Sequence, residues 1–235
     1  MPEPAAGEEW YACAPVQPEA AMPDRDHPAS PLPMTQRLRR LFRLWLVLWL
    51  AGCATTPPSE PDNLCALFKE QDDWYEASRA AQNRWGAPVH VQMAIMKQES
   101  AFVSDARPAR AWFLGIIPLS RPSSAYGYSQ ALDGTWARYQ QATGKRGAER
   151  DDFADAADFI AWYARQSQLE LGISTRDAYR QYLAYHEGQS GYAHGSYRQK
   201  PWLMEVARKV STIAERYQRQ LASCRTELDE ELALN

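Results

Sequence analysis

Three short segments of the chain carry side chains whose type and placement could do chemistry. The first is MAIMKQESAF, residues 93–102, where Met93, Ala94, Ile95 and Met96 make an apolar turn that ends in Glu99 and Ser100. A carboxyl at the end of an apolar segment is poorly solvated in its charged form. It either pairs with a cation, for which Lys97 and Arg107 are close in sequence, or keeps its proton and acts as an acid. The second segment is AYGYSQ, residues 125–130, and the third is AYHEG, residues 184–188. In the third, His186 and Glu187 with His194 could point to a metal. The HExxH helical register is missing, however, and Gly188 and Gly191 interrupt the helix, so no metal site is expected.

These segments need elements to hold them. Asp62 or Asn63 can cap a helical stretch through Trp85, closed by Gly86. Pro88, at a first-turn position, opens the helix that delivers Glu99. Residues 102–126 are irregular, broken by Pro108, Pro118 and Pro122, and hold an apolar insert, WFLGII at 112–117. The insert reads either as a lid or binding loop, or as a loop folded back on the core. Asp133 starts a helix that ends at Gly144. Residues 151–171 place Phe153, Ala157, Ile160 and Ala164 on one helical face, stopped by Gly172. Ser174 with Asp177 reads as a capping box for a helix to about Tyr185, followed by a loop punctuated by Gly188, Gly191 and Gly195. A last helix over 201–224 carries the stripe Leu203, Val206, Val210, Ile213 and Tyr217. Almost nowhere do apolar and polar residues alternate, so the expected fold is all-α. One domain is expected over 63–226, with 227–235 as a flexible tail.

Composition narrows the partners. The formal charge of −3 over 235 residues supplies no basic surface for nucleic acid. Nine Trp and twelve Tyr are the side chains that stack on sugar faces. Residues 1–33 are Pro-rich and aperiodic, the mark of a leader without a packed core. Arg37, Arg39, Arg40 and Arg43 then precede an apolar run from Leu44 to Ala51. That run is too short to span a bilayer but suits the centre of an export signal over 34–52, with translation beginning at Met34. Leu50-Ala51-Gly52-Cys53 resembles a bacterial lipobox. The resemblance implies a lipid on Cys53, a tether over 53–62 and, with Ala54 rather than Asp next, an outer-membrane anchor facing the periplasm. The other reading of Cys53 is an ordinary cysteine after a hydrophobic patch. Cys65 and Cys224 remain as an even pair near the two ends of the mature domain, either bridged in an oxidising compartment or present as two buried thiols.

In this order, Glu-Ser, AYGYSQ and AYHEG resemble the soluble lytic transglycosylases, a lysozyme-like family that cleaves bacterial peptidoglycan. The family pattern is Glu-Ser, Gly-x-x-Gln and Ala-Tyr-x-x-Gly, and the resemblance spans roughly residues 80–220. It implies Glu99 as the catalytic acid and Ser100 bonded near the acid or the substrate. Gly127 would permit close backbone approach, with Tyr126 beside it as a further substrate contact, and Gln130 would shape the glycan cleft. Tyr185 would aim its hydroxyl at the acid or the sugar, with His186 and Glu187 as further substrate contacts. Tyr126 and Tyr128 around Gly127, and His186-Glu187 where Asn and Ala are usual, depart from the pattern. The implied reaction protonates the glycosidic oxygen between N-acetylmuramic acid and N-acetylglucosamine. The same Glu then acts as base toward the C6 hydroxyl, closing a 1,6-anhydro ring with no cofactor. Such an acid must hold its proton near neutral pH, well above the free Glu value of about 4.3. Burial against Met96, Phe102 and Tyr185 would provide this. A hydrolase would need a second carboxylate, for which Asp105 and Glu187 are candidates. The alternatives are therefore a goose-type-like muramidase and a non-catalytic lipoprotein that binds peptidoglycan; in each case a monomer is expected. Arg107 and Arg110 could hold stem-peptide carboxylates or lie in a solvated loop.

Overall fold

The computed structural model describes residues 57–110, 112–113, 117–118 and 120–234. The leader (1–33), the export signal (34–52), Cys53 and the centre of the apolar insert (114–116) lie outside the described residues. Asn63 caps the first described helix, α1 (Leu64–Glu70), its side-chain oxygen accepting from Ala66 N at 3.3 Å. The chain breaks at Gln71 and resumes as α2 (Asp72–Trp85), which ends on Gly86 in the left-handed conformation. Pro88 then precedes α3 (Val89–Ser100).

Helix α3 runs through the interior of the described helical unit. Val89, Val91, Met93, Ala94, Ile95 and Met96 are buried on several sides of it, the pattern of a helix enclosed by others. Burial of each large apolar side chain here is worth roughly 1.5–3 kcal/mol. Gln92, buried in the same helix, donates to Ala87 O (2.8 Å) and Ser78 O (3.2 Å), which satisfies carbonyls that water cannot reach.

A minimal hairpin follows, β1 (Trp112–Phe113) and β2 (Ile117–Pro118), antiparallel with Trp112 opposite Pro118 and Phe113 opposite Ile117. The remaining elements are α4 (Asp133–Thr143), α5 (Phe153–Leu171), α6 (Ala178–Ala193), a 3-10 turn (Ser196–Gln199) and α7 (Pro201–Leu234). The all-α class holds, with this short ladder as an addition. Helix α2 packs on α5, α3 packs on α7 and α5, and α6 packs on α7 and α5. Trp74 stacks on Phe153 with centroids 4.0 Å apart, while Trp136, Tyr139, Phe159 and Trp162 form a second aromatic cluster. Trp136 and Trp162 are thus core residues.

Several boundaries differ from the sequence reading: beside the break at Gln71, α6 runs past Tyr185 to Ala193 with a kink at Gly188 where a glycine-punctuated loop was expected. Asp177, not Ser174, caps α6, accepting from Arg180 N at 3.0 Å, while the Ser174 hydroxyl closes the preceding turn against Arg176 N. The expected flexible tail from 227 is helical through Leu234, because Leu228 is buried and its charged neighbours are engaged. Glu227 pairs with Lys69 at 2.7 Å, and Asp229 accepts from Tyr75 Oη (2.6 Å) and Arg79 Nη1 (2.7 Å). Cys65 and Cys224 form a disulfide, Cα atoms 6.1 Å apart, which joins α1 to α7. Beside it, Gln220 accepts from Leu64 N (3.0 Å) and donates to Asp62 O (3.1 Å), fixing the start of α1 on α7. The described residues, from 57 onward, fall in one compact unit that contains this core. No helix among the described residues is long and apolar enough to cross a membrane.

Candidate active site

Glu99 occupies the last turn of α3, and the chain leaves that helix through two consecutive left-handed residues, Ala101 (φ 50°) and Phe102 (φ 64°). Such backbone costs on the order of 1 kcal/mol or more per residue without glycine. It buries Phe102 against Trp74 directly after the acid. Neither cation near in sequence pairs with Glu99. Lys97 Nζ is 2.5 Å from Asp62, and Arg107 lies over the Tyr126 ring at 4.3 Å. Desolvation pushes the Glu99 carboxyl up to about 7, opposed only by a hydrogen bond from Tyr182. The negative end of the α3 dipole acts in the same direction as the desolvation. Near neutral pH, Glu99 is therefore poised between acid and base.

The pocket beside Glu99 has a volume of about 370 Å³, within the range of small-ligand sites. Ala125, Gln130, Ala131, Leu132 and Thr135 form one side, and Phe159, Tyr163, Tyr185, His186, Glu187 and Gly188 the other. Thr135, Tyr163 and Gly188 also border an adjoining depression that contains Arg138 and Glu170, so the cleft continues past the pocket.

Gln130, in a left-handed conformation, folds its side chain back to donate to Ala106 O (2.9 Å) and Gly127 O (2.8 Å). The turn depends on Gly127, whose φ is 77°, because a Cβ there would lie 2.0 Å from Arg150 O. Arg150 clamps the turn from outside through Ser124 O (3.0 Å), Ala131 O (2.8 Å) and Asp133 (2.9 Å). On the opposite side, α6 breaks at Gly188 (φ 75°, ψ 159°), a conformation essentially restricted to glycine, and the chain turns at the pocket wall.

Several expected roles change. Ser100 donates to Met96 O at 3.2 Å and does not line the pocket; its hydroxyl is used within the helix. Tyr126 also lies outside the pocket lining, its hydroxyl donating to Asp151 at 2.7 Å between the Arg107 and Arg150 guanidinium groups. Gly127 supports the turn without lining the pocket. Tyr185 supplies pocket wall, but its hydroxyl donates to Ser129 O at 2.6 Å and so ties α6 to the AYGYSQ turn. Tyr182, one helical turn earlier, is the tyrosine that bonds to Glu99; burial and the acid hold its own pKa far above the ordinary tyrosine range. Tyr182 and Arg150 were missed from sequence. The i, i+3 spacing of Tyr182 and Tyr185 was the available signal for the first.

Of the two candidate second carboxylates, Asp105 is exposed and outside the pocket lining. Glu187 borders the pocket, yet its side chain is only 4% exposed. Its Oε1 meets Lys200 Nζ at 2.7 Å and His186 Nδ1 at 3.0 Å, and its Oε2 accepts from Ser196. Desolvation alone would raise its pKa, but hydrogen bonds from Lys200, Ser196 and His186 outweigh it and hold the carboxyl at about 2. His194 Nδ1 meets Ser190 O at 2.7 Å. Among the described residues, no three His, Cys, Asp or Glu side chains converge as a metal site would require.

No curated protein matches the chain. A family match, to the family described as "Transglycosylase SLT domain", covers residues 41–224, most of the sequence. An isolated, desolvated glutamic acid in a cleft, held among three motifs in the expected order, is coherent with that match, and the chain belongs to the transglycosylase SLT family, with its lysozyme-like helical fold.

Proposed function

We propose that the protein is a peptidoglycan lytic transglycosylase that cleaves the β-1,4 bond between N-acetylmuramic acid and N-acetylglucosamine. Glu99 gives its proton to the bridging oxygen as the bond to C1 of the muramic sugar breaks. Its carboxylate then takes the proton of the C6 hydroxyl as O6 attacks C1, giving the 1,6-anhydro ring and leaving Glu99 protonated again. No water is consumed. Tyr182 holds the carboxyl in place and stabilises its charged form midway.

The observation that carries this reading is the unequal state of the two pocket carboxyls. Glu99 has no cation partner among the described residues and a pKa near neutrality. Glu187 has both oxygens engaged and is too weak a base to activate water efficiently. One free carboxyl suits an acid that becomes its own base, whereas hydrolysis calls for a second. We further propose a monomer anchored through lipid on Cys53 at the outer membrane and facing the periplasm. The lipobox-like sequence and the disulfide, a bond of oxidising compartments, support this placement.

Purified peptidoglycan digested with residues 54–235 should release muropeptides lighter by one water than hydrolytic products, and Glu99→Gln should release none. Reducing-end products would instead identify a muramidase. Absence of products from folded wild type would identify a binding lipoprotein.

A further inference from the structure

Trp202, the second residue of α7, is 56% exposed, a large aromatic side chain set largely in solvent. A single exposed apolar side chain is ordinary; here its support is not. The ring stands edge-on to His186, centroids 5.3 Å apart at 78°, and His186 borders the pocket that holds Glu99.

Both sides of that pair are fixed by one buried carboxylate. Glu187 holds His186 Nδ1, and as an ionised acceptor it makes Nδ1 the protonated nitrogen. The same carboxylate binds Ser196 and Lys200, the segment that leads directly into α7 and Trp202. Leu132, 47% exposed, borders the pocket from the turn side, so the rim carries apolar groups on two sides. The two positions where AYHEG departs from family usage, His186 and Glu187, are therefore the two that set the indole beside the cleft.

We infer that Trp202, backed by His186, is a platform on which the apolar face of one sugar ring of the glycan strand stacks, next to but outside the cleavage pocket. This rests on the glycan-cleaving reading above and deepens it: the substrate is a strand long enough to reach beyond the pocket. A pyranose presents a face of C–H groups, and a rigid indole buries it at little entropic cost. The Glu187 network is what keeps the indole from having to be ordered on binding.

Binding is best measured in the Glu99→Gln background, where no cleavage intervenes, by calorimetry with soluble stem-free glycan strands and with the disaccharide repeat. Trp202→Ala should weaken strand binding about tenfold, the scale of losing one aromatic stacking partner. It should leave the disaccharide unaffected, and Trp202→Phe should recover most of the loss. Leu169→Ala, at an exposed position outside the pocket lining, serves as the control. Equal strand affinity in Trp202→Ala and its parent, with unchanged melting curves, would overturn the platform while leaving the glycan reading intact. Failure of the parent itself to bind strands would overturn both.

Discussion

At the scale of single residues, the chemistry rests on how Glu99 is kept from ionising early. Its environment offers desolvation and one hydrogen bond, from Tyr182, and the two oppose each other. The acid must be protonated to begin the reaction, so kcat/KM on glycan strands should fall tenfold per pH unit above a limb at about 7. Removing the Tyr182 hydroxyl removes the one group among the described residues that lowers the Glu99 pKa. Tyr182→Phe should therefore move that limb to higher pH, because the folded carboxyl then holds its proton more tightly. The same change should lower kcat about tenfold, since the carboxylate formed midway loses its donor. A pH–rate profile separates this from a packing effect: a merely structural tyrosine would lower the rate and leave the limb unmoved. The acid was legible in sequence because an ionisable group ends an apolar turn. Its tyrosine was not, since the AYHEG pattern drew attention to Tyr185, whose hydroxyl is spent on Ser129 O. Which of two tyrosines i, i+3 apart reaches the acid depends on how α6 is rotated against α3, and sequence spacing leaves that rotation open.

At the scale of elements, each pocket wall turns on a glycine with positive φ, Gly127 on one side and Gly188 on the other. Gly127 sits where the AYGYSQ turn presses on the backbone of Arg150, at 2.0 Å from any added Cβ and with φ at 77°. Gly127→Ala must either push that carbonyl away or unwind the turn. Urea denaturation should show a loss of roughly 3 kcal/mol, the sum of left-handed strain and a backbone clash. An alanine variant of wild-type stability would mean that the turn relaxes freely and does not hold Gln130 in place. Helix limits were readable wherever a cap is local, as at Asn63, Gly86, Pro88, Gly144 and Gly172. The Ser174 reading failed because two capping residues three apart compete, and the later one won. Glu187 was visible as a pocket residue, but its grip on Lys200 and Ser196 depends on how the chain folds back after Gly188, which a Gly-rich run leaves undetermined.

At the scale of the whole helical unit, its first and last described helices, α1 and α7, are joined, and the sequence showed only half of how. Cys65 and Cys224 were visible as a pair. Residues 227–235 read as a flexible tail, because Lys69, Tyr75 and Arg79 belong to helices some 150 residues earlier (separations of 158, 154 and 150). The stripe that continues through Leu221, Cys224 and Leu228 was the stronger signal, and it governs the fold. The disulfide spans a sequence separation of 159, so it restricts the unfolded chain more than a short-range bridge would. Reduction, or Ser at both positions, should cost about 4 kcal/mol in equilibrium denaturation. The end of α7 should loosen first, since the contacts of Glu227 and Asp229 are partly exposed and worth little alone. Hydrogen exchange on the reduced protein should therefore show residues 225–234 opening while α3 stays protected. The acid is carried on α3, and its pocket walls come from the AYGYSQ turn, α4, α5 and α6, so activity per folded molecule should survive reduction. A loss below about 1 kcal/mol would assign the closure of the ends to Gln220 and the ion pairs around it. Loss of activity in parallel with the exchange would show that the α1–α7 clasp supports the cleft from behind.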